Sequence, residues 1–472
     1  MPESPNFVLI LADQWRGDCL SHTGHPVVET PFLDETAKHG TTFTAAYSQA
    51  PTCIPARACL ATGQTPCTCG RLGYQDGVPW RYEQTMMRLL RDGGYQTLCA
   101  GKTHFYPKRA ALGFEEMRRY EVNKHDPTFD SDYHRWLQAY NGGCFQDVPS
   151  TIEPNAYVVR PWAYPEYTHP NCWTARMAIE LLERRDPTRP FFIQVGFQRP
   201  HAPMDPPAEY LDIYRGRELP AVPIGDWAHG FSEPVTSAGI RSGRLPSERL
   251  DRVRRAYYAQ ITHLDTQIEA IRYWLSGHGY LENTFIIFTS DHGDMLGDHN
   301  MFRKSCFFEG SAHIPLMIVP PERMDAPRGQ SCDMPVGLMD VMPTLLDAAA
   351  LSPADGVQGK SLLPHVRDGS AEWAREFIHG EHVGADGWQM LTDGREKFIW
   401  ETVSGDEFFF DLTQDSCELH NLAGVEQHAQ TVALWRQRLI ELLATRPQDE
   451  LSDGQCLLPG RKLRRTRPAL LE

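Results

Sequence analysis

Phe7-Val8-Leu9-Ile10-Leu11-Ala12 is a run of six apolar residues, and Asp13-Gln14 follow it directly. A strand with one face in water alternates apolar and polar residues, so an unbroken apolar run predicts a strand that is buried on both faces. Such strands belong to parallel sheets covered by helices on both sides. The run therefore predicts an α/β protein in which residues 7–12 form an inner strand.

Similar apolar segments recur along the chain and alternate with helical patterns. In residues 261–275, for example, apolar side chains keep the three- and four-residue spacing of a helix with one buried face. This alternation indicates α/β architecture, and we predict a large, mostly parallel (mixed) sheet sandwiched by helices. The further predicted strands are residues 95–100, 191–197, 284–289 and 316–319, with a short candidate ending at residue 43.

The pattern changes near residue 375. Three short strand candidates at 388–392, 397–401 and 408–412 are separated by Asp-Gly and Ser-Gly turns, which is typical of an antiparallel meander. An amphipathic helix is predicted over 432–442. We therefore divide the chain into an α/β domain over 1–374 and a smaller C-terminal α+β domain over 375–472, with an antiparallel sheet, a closing helix and a basic tail.

The composition excludes some classes of partner. The chain has 472 residues and a formal net charge of −15 with histidine neutral. It lacks the basic surface field that attracts nucleic acid or an anionic membrane, so we expect neither as a partner. The apolar run at 7–12 is too short for a signal peptide or a membrane span. We expect a cytoplasmic protein whose 12 cysteines are reduced.

Two predicted strands end in unusually polar sequence. Asp13-Gln14 follows the first, and Ser290-Asp291-His292-Gly293-Asp294 follows the strand at 284–289. In parallel sheets, ligands bind at the carboxyl ends of the strands. Carboxylate and amide oxygens with one imidazole suit a hard or borderline divalent cation. The alternative is that each aspartate caps the next helix, and spacing alone does not decide between the two.

The most specific stretch is Cys53-Ile54-Pro55-Ala56-Arg57-Ala58-Cys59-Leu60-Ala61-Thr62-Gly63. It resembles the signature of the type I sulfatases, C-x-P-x-R followed by x-x-L-x-T-G. The resemblance implies an alkaline phosphatase-like catalytic domain over 1–374. It also implies that a formylglycine-generating maturation enzyme oxidises Cys53 to formylglycine, whose hydrated aldehyde is the nucleophile. Without the resemblance, the same stretch would describe a buried structural cysteine before a helix.

Further parts of the family pattern follow in order. Gly101-Lys102-Thr103-His104 is similar to the family's G-K-x-H, Pro200-His201-Ala202-Pro203 to its P-H-x-P, and Asp291-His292-Gly293 to its second metal motif. Lys304 lies where the family carries a substrate-binding lysine. Residues 410–422 resemble the C-terminal pattern D-L-x-x-D-P-x-E-x-x-N-L, with serine in place of proline. The resemblance covers nearly the whole chain.

Carried onto this sequence, the family scheme assigns a metal site and a set of reactive side chains. The implied cofactors are formylglycine at position 53 and one divalent metal, Ca²⁺ by family analogy, with Mn²⁺ and Mg²⁺ as alternatives. The implied metal ligands are Asp13, Gln14, Cys53, Asp291 and His292. The implied catalytic residues are Cys53, Arg57, Lys102, His104, His201 and Lys304, and Lys102, His201 and Lys304 would also bind the substrate.

The implied reaction is the hydrolysis of a sulfate monoester of a small molecule, such as an aryl, sugar or other metabolite sulfate. A divalent cation and fixed ammonium or guanidinium groups stabilise the negative charge on the sulfate oxygens. A geminal diol adds a second function, because one hydroxyl takes the sulfate and the other, once deprotonated, expels it. A plain serine or cysteine could not follow this route.

Two other functions compete with a sulfatase. The pairs Asp13-Gln14 and Asp291-His292 also resemble phosphonate monoester and phosphodiester hydrolases of the same superfamily, and imidazole admits a borderline metal such as Mn²⁺. Those relatives carry a tyrosine and threonine region where this chain has Lys102 and His104, so we favour sulfate monoesters. A non-catalytic anion-binding protein would have no use for an oxidisable cysteine. The leaving group and the formation of a homo-oligomer stay open.

Two further segments bear on the site. Gly380-Glu381-His382 follows a predicted strand at the start of the second domain, and we expect His382 to bind the substrate. The basic tail, Arg461-Lys462-Leu463-Arg464-Arg465-Thr466-Arg467, is short and attached to an acidic protein. We expect it to be solvated or to form an arm onto a neighbouring subunit.

Overall fold

The computed structural model describes residues 4–121, 131–140, 153, 155–231, 233–234, 240–353, 355–369 and 374–471. These residues form two main sheets and one two-stranded pair. The strands are β1 (Asn6–Asp13), β2 (Thr41–Phe43), β3 (Ala46–Tyr47), β4 (Gln96–Gly101), β5 (Glu116–Arg119), β6 (Phe191–Pro200), β7 (Thr284–Ser290), β8 (Leu316–Val319), β9 (Gln330–Cys332), β10 (Val336–Gly337), β11 (Ile378–Val383), β12 (Gly387–Thr392), β13 (Glu396–Glu401) and β14 (Glu407–Asp411).

Helices alternate with the strands of the first sheet, and one long helix follows the second sheet. None of the described helices combines the length and the apolar composition needed to cross a lipid bilayer. The α-helices are α1 (Pro31–Ala37), α2 (Cys53–Thr62), α3 (Pro66–Cys69), α4 (Met86–Asp92), α5 (Asp132–Tyr140), α6 (Pro170–Arg184), α7 (Ala208–Ile213), α8 (Ser247–Gly277), α9 (Glu309–Ala312), α10 (Val341–Ala348), α11 (Leu363–Asp368) and α12 (Ala429–Ala444).

The large sheet has eight strands in the order β5-β4-β6-β1-β7-β8-β2-β9. Neighbouring strands are parallel except that β8 runs antiparallel to both β7 and β2. Side chains of β1 alternate between two apolar cores. Val8 and Ile10 pack in the core that contains α6 and α8, while Phe7, Leu9 and Leu11 pack in the core that contains α2 and α10. The predicted mixed sheet between helices is confirmed.

The second sheet has four antiparallel strands in the order β11-β12-β13-β14. On one face Trp400 packs with Trp435 and Leu439 of α12. The other face packs with Phe307 and Phe308, which lie in the segment after β7. The predicted C-terminal antiparallel sheet is confirmed. The division of the chain between residues 374 and 375 stays a prediction.

The sheet has four strands rather than the three predicted for the meander, because the strand predicted just before Gly380 is β11, which also belongs to this sheet. Gly380-Glu381-His382 does not follow a strand but lies within one, paired with β12. The polar side chains of Glu381 and His382 interrupt the apolar pattern, so the pattern did not show that the strand continues through them. Glu381 is nevertheless buried, and its carboxylate accepts from Arg446 Nη1 at 2.8 Å. Glu381 is therefore buried through an ion pair and not through apolar contacts, which are what a hydrophobic pattern detects.

The basic tail is not a solvated extension. The Arg465 carbonyl accepts the Leu72 N–H at 2.8 Å, and the Thr466 side chain is buried. Arg467 Nη2 donates to Asp449 Oδ2 at 2.7 Å. The side chains of Arg461, Lys462 and Arg464 are exposed along this anchored segment, and its contact with a neighbouring subunit stays a prediction. Backbone hydrogen bonds and an ion pair hold the segment against its own chain.

His299 lies in the aromatic layer between the two sheets. Its ring centroid is 4.6 Å from that of Trp227 and 5.7 Å from that of Phe308. Its Nδ1 accepts the N–H of Gly225 at 3.0 Å, which requires the neutral ring. Burial lowers the pKa of His299 from 6.5 to about 4. Protonation of this ring would therefore oppose the folded state.

We predict a loss of stability as the pH falls from about 6.5 to about 4, because in that window the unfolded chain binds a proton at His299 and the folded protein does not. His299→Asn keeps an acceptor and tolerates the positive φ of 53°. The variant should lose about 3 kcal/mol less of its free energy of unfolding over this range. Urea unfolding at several pH values measures this, and the same pH dependence in both proteins would contradict it.

Candidate active site

Four neighbouring strands of the large sheet bring polar side chains to one edge. β4, β6, β1 and β7 lie side by side and parallel, and their carboxyl ends lead to Lys102, His201, Asp13 and Asp291. This is the edge at which parallel α/β sheets bind ligands. The two polar strand ends, at Asp13 and Asp291, therefore meet although they lie far apart in the sequence.

Backbone contacts fix these strand ends relative to one another. The Lys102 N–H donates to the Gly196 carbonyl at 2.7 Å. A Cβ atom at Gly196 would lie 2.1 Å from the Lys102 carbonyl oxygen, so only glycine allows this approach. The His201 N–H donates to the Asp13 carbonyl at 3.0 Å. Backbone hydrogen bonds thus fix the positions from which the Lys102, His201 and Asp13 side chains extend.

Helix α2 brings Cys53 to the same edge. The preceding Thr52 is extended, Cys53 is the first helical residue, and every residue of α2 is buried. Cys53 Sγ lies 3.2 Å from His292 Nε2 and 3.8 Å from Asp13 Oδ1. The N-terminus of a helix carries partial positive charge, which favours an anion at this position.

Four buried residues could hold a metal ion. Carboxylate oxygens of Asp13 and Asp291, Cys53 Sγ and a ring nitrogen of His292 all lie within 4.8 Å of one another. His292 Nδ1–H donates to the Gly293 carbonyl at 2.9 Å, which leaves the lone pair on Nε2 for the group. Burial lowers the pKa of His292 to about 4, so the ring is neutral at pH 7. Two carboxylates and a neutral imidazole fit a divalent cation.

Gln14 stands beside this group and makes other contacts. Its backbone is left-handed, with φ 72°. The amide Nε2 donates to Asp294 Oδ2 at 2.5 Å, and Oε1 accepts from Lys304 Nζ at 2.5 Å. Asp294, which the sequence analysis placed in the polar strand end without an individual role, also accepts from the Tyr157 hydroxyl at 2.7 Å. A metal-ligand role for Gln14 stays a prediction, since Lys304 holds the amide oxygen here.

Two cations lie against the buried carboxylates. Arg57 Nε donates to Asp291 Oδ2 at 2.8 Å, and its Nη2 donates to Asp13 Oδ2 at 3.4 Å. The Lys102 ammonium contacts the same oxygen of Asp13. Burial raises the pKa of Asp13, but Lys102 and the other cations outweigh burial and hold that pKa well below its usual range. Asp13 is therefore ionised and available as a ligand.

The same charges favour an anion at position 53. Burial and the Asp13 carboxylate raise the pKa of the Cys53 thiol. The ammonium groups of Lys304 and Lys102 outweigh these effects and leave the pKa below its ordinary value. Structural cysteines buried among apolar groups show the opposite shift. Cys53 thus differs from an inert core cysteine.

Three further predicted histidines lie near Cys53. His201 Nδ1–H donates to the Ala202 carbonyl at 2.7 Å, and His382 Nε2 lies 2.7 Å from Thr52 Oγ1. Burial lowers the pKa of His104 and His201, and it lowers that of His382 to about 3. These rings are neutral at pH 7 and act as hydrogen-bonding groups.

Glu121 is a site residue that the sequence did not reveal. Its Oε1 accepts the N–H groups of Thr103 at 3.0 Å and His104 at 2.7 Å, and it accepts from Arg119 Nη2 at 2.6 Å. These bonds hold His104 in a left-handed backbone conformation, with φ 63°. No motif spacing links Glu121 to residues 101–104, because the contact depends on the pairing of β4 with β5.

A cavity of about 620 Å³ opens at the site. The predicted site residues that do not line the cavity are Asp13, Gln14, Arg57, Asp291 and His292; they are buried beside Cys53 and contact one another. The structure therefore brings the whole predicted set together. The predicted residues that line the cavity are Cys53, Lys102, His104, His201, Lys304 and His382. Other lining residues include Tyr74, Trp388, Arg241, Arg303 and Arg465.

Comparison with known proteins assigns the family. The family model described as Sulfatase matches residues 5–351, and the model described as N-sulphoglucosamine sulphohydrolase, C-terminal, matches residues 297–445. The chain belongs to the sulfatase family. This sulfatase is therefore a sulfuric ester hydrolase with an α/β fold, as the sequence motifs predicted.

Individual relatives agree with the family. The sulfatase is 40% identical to an arylsulfatase of Clostridium perfringens, over 97% of this chain and 98% of that protein. It is 29% identical to a choline-sulfatase of Rhizobium meliloti, over 89% of this chain and 82% of that protein. A phosphonate monoester hydrolase of Agrobacterium radiobacter has a similar structure, with a TM-score of 0.78, 27% identity, and coverage of 93% of this chain and 96% of that one.

Arg57→Gln should lower kcat/KM for an aryl sulfate by about 100- to 1,000-fold, because losing one fixed donor at developing charge costs about 2.7–4 kcal/mol. Steady-state kinetics measures the change, and mass spectrometry of residue 53 separates lost chemistry from lost maturation. Arg184→Gln, in a side chain that is 64% exposed on α6, is the matched control. If kcat/KM of the Arg57→Gln variant were within twofold of the wild-type value, the Arg57 guanidinium would not contribute to the reaction.

Proposed function

We propose that this sulfatase hydrolyses small sulfate monoesters through a formylglycine made from Cys53, next to a bound divalent metal. The substrate is the sulfate of an aryl, sugar or other metabolite alcohol. The observation that carries the proposal is the position of Cys53 Sγ, which is buried at the start of α2 and lies 3.2 Å from His292 Nε2. Ammonium groups of Lys102 and Lys304 lower the pKa of the thiol.

Asp13, Asp291 and His292 would hold the metal together with residue 53. Gln14 would join them once Lys304 turned from its amide oxygen to the substrate. A bound divalent cation supplies neutralising charge to the sulfate oxygens and acidifies a hydroxyl next to it. The mixed oxygen and imidazole set suits Ca²⁺, our first assignment by family analogy, and it also admits Mn²⁺ or Mg²⁺.

Formylglycine requires a change at the Cβ atom of Cys53. The Cβ–S bond and one Cβ–H bond break, sulfur leaves as hydrogen sulfide, and the carbonyl oxygen comes formally from water, a net two-electron oxidation for which a separate maturation enzyme supplies the oxidant. The hydrated aldehyde supplies one hydroxyl that attacks sulfur and a second whose deprotonation restores the carbonyl as sulfate leaves. The resemblance of residues 53–63 to the family signature supports this assignment.

Other side chains of the site would stabilise negative charge and protonate the leaving oxygen. Arg57 and Lys102 are buried cations beside Asp13, where negative charge collects during sulfate transfer. His201 is neutral, since burial and the charge of Lys304 lower its pKa well below its ordinary value. Lys304 is therefore the better proton donor to the leaving oxygen. Sulfate is favoured over phosphonate or phosphodiester because the relative with 40% identity is an arylsulfatase.

The nucleophile is tested by substitution in matured protein. Cys53→Ala should lower kcat for an aryl sulfate at least about 1,000-fold, since removing a nucleophile abolishes the covalent route. Cys59→Ala, a buried cysteine later in α2, is the matched control and should retain turnover. Kinetics on the matching aryl phosphodiester and phosphonate checks the substrate class, and full activity in protein whose Cys53 is unmodified by mass spectrometry would refute the proposal.

Metal removal is an independent test. Dialysis against a chelator should lower aryl sulfate turnover at least about 100-fold, because the cation neutralises charge that the protein's own cations do not. Adding back Ca²⁺, Mn²⁺ or Mg²⁺ separately, with the metal content measured each time, identifies the ion. Unchanged turnover in protein shown to be metal-free would exclude the metal from the reaction.

A further inference from the structure

The cavity at the active site is more basic than the rest of the protein. Among the described residues that line it, six carry cationic side chains and three carry carboxylates, in a chain whose net charge is −15. A cluster of cations in a partly enclosed cavity attracts anions by its local field. The cations are Lys102, Lys108, Arg241, Arg303, Lys304 and Arg465, and the carboxylates are Asp76, Glu121 and Asp386.

Three of the six cations already have a task. The proposed function assigns Lys102 and Lys304 to the sulfate ester. Lys108 Nζ lies 3.7 Å from carboxylate oxygens of both Asp76 and Glu121, so its charge is matched within the protein. Arg241 and Arg465 are left for another part of the substrate, while Arg303 donates from Nη2 to the Asn155 carbonyl at 3.3 Å and adds positive charge beside them.

Arg241 and Arg303 come from two segments that lie side by side. The Phe302 N–H donates to the Arg241 carbonyl at 2.8 Å, and the next residues, Ser242 and Met301, form a bridge. Burial and the charges of Arg303 and Arg465 lower the pKa of Arg241, and no described carboxylate raises it. The positive charges of Arg303 and Arg465 therefore act on Arg241, on the same side of the cavity.

Arg465 reaches the cavity from the basic tail. Its backbone is fixed because its carbonyl accepts the N–H groups of Leu72 at 2.8 Å and Gly73 at 3.0 Å. Its Nη2 donates to the Gly384 carbonyl at 3.4 Å, a neutral partner that leaves the positive charge unbalanced. Backbone contacts thus hold like charges together, which costs free energy that a bound anion would offset.

We propose that the alcohol part of the substrate carries a second anionic group, a carboxylate or a further sulfate, which binds to Arg241 and Arg465. This inference rests on the proposed function, because that function places the sulfate ester at Lys102 and Lys304. The planar fork of a guanidinium matches the paired oxygens of either anion. A cavity of about 620 Å³ is of the size that holds an aryl or sugar ligand.

Matched pairs of sulfate esters test the proposal. The pairs are 3- and 4-sulfooxybenzoate against the corresponding neutral benzamides, and a sulfated uronic acid against the neutral hexose sulfated at the same position. A disulfated sugar against each monosulfated parent separates sulfate from carboxylate. We expect kcat/KM to be at least about tenfold higher for the anionic member of a pair, and we expect the difference to shrink as ionic strength rises.

Variants assign the preference to the arginines. Arg241→Gln and Arg465→Gln should each lower the ratio of kcat/KM between anionic and neutral members by about tenfold, the effect of losing one charge-assisted hydrogen bond. The matched control is Arg464→Gln, which removes the same charge from the next position of the tail and does not line the cavity. Equal kcat/KM within every pair, or a preference that survives in the double variant, would overturn the proposal.

A binding measurement separates this inference from the proposed function. Calorimetry compares hydroxybenzoates with hydroxybenzamides, which are the desulfated alcohols and need no turnover. Tighter binding of the carboxylate to the wild type, lost in Arg241→Gln/Arg465→Gln, would support the arginine site even if no sulfate ester were hydrolysed. Equal binding of both alcohols would overturn it even in a fully active sulfatase.

Discussion

Two buried carboxylates at adjacent strand ends are the constraint on which the site depends. Asp13 ends β1 and Asp291 follows β7, and neighbouring strands lie about 4.8 Å apart. Two such charges without partners would repel each other and would lose their hydration at a cost of several kcal/mol each. Arg57 spans both carboxylates, and Lys102 contacts one of them. These two side chains therefore offset the negative charge of the buried carboxylates within the folded protein.

Contacts with the second sheet also help to position residues of the site. His382 of β11 contacts Thr52, so a strand of the smaller sheet helps to position the start of α2. Lys397 of β13 is buried, and its Nζ donates to the Phe307 carbonyl at 3.1 Å, within the segment that carries Lys304. A buried ammonium is retained only where it is fully paired. Packing between the sheets is thus part of how the site is built, and the large sheet alone would not supply it.

What the sequence could predict follows from the range of each interaction. Unbroken apolar runs and local motifs predicted the sheet, its helices and the residues that meet at Cys53. The continuation of β11 through Glu381 was not predicted, because the burial of Glu381 depends on a distant partner, Arg446. Glu121 and Arg465 escaped prediction for the same reason, since each reaches the site only through tertiary pairing. Hydrophobic periodicity records which residues are buried, and it carries no information about polar partners far away in the chain.

The negative net charge of the chain and the cluster of cations in the cavity have opposite effects on anions of different size. A net charge of −15 disfavours polyanions that spread over a protein surface. At physiological ionic strength the screening length is about 8 Å, so exposed charges are damped beyond their immediate surroundings, while contact pairs in a partly enclosed cavity are screened much less. A small anion that enters the cavity therefore experiences mainly the nearby cations. Selectivity for a small sulfated molecule over a long polyanion requires only a few cations held in place, within a protein that is otherwise negatively charged.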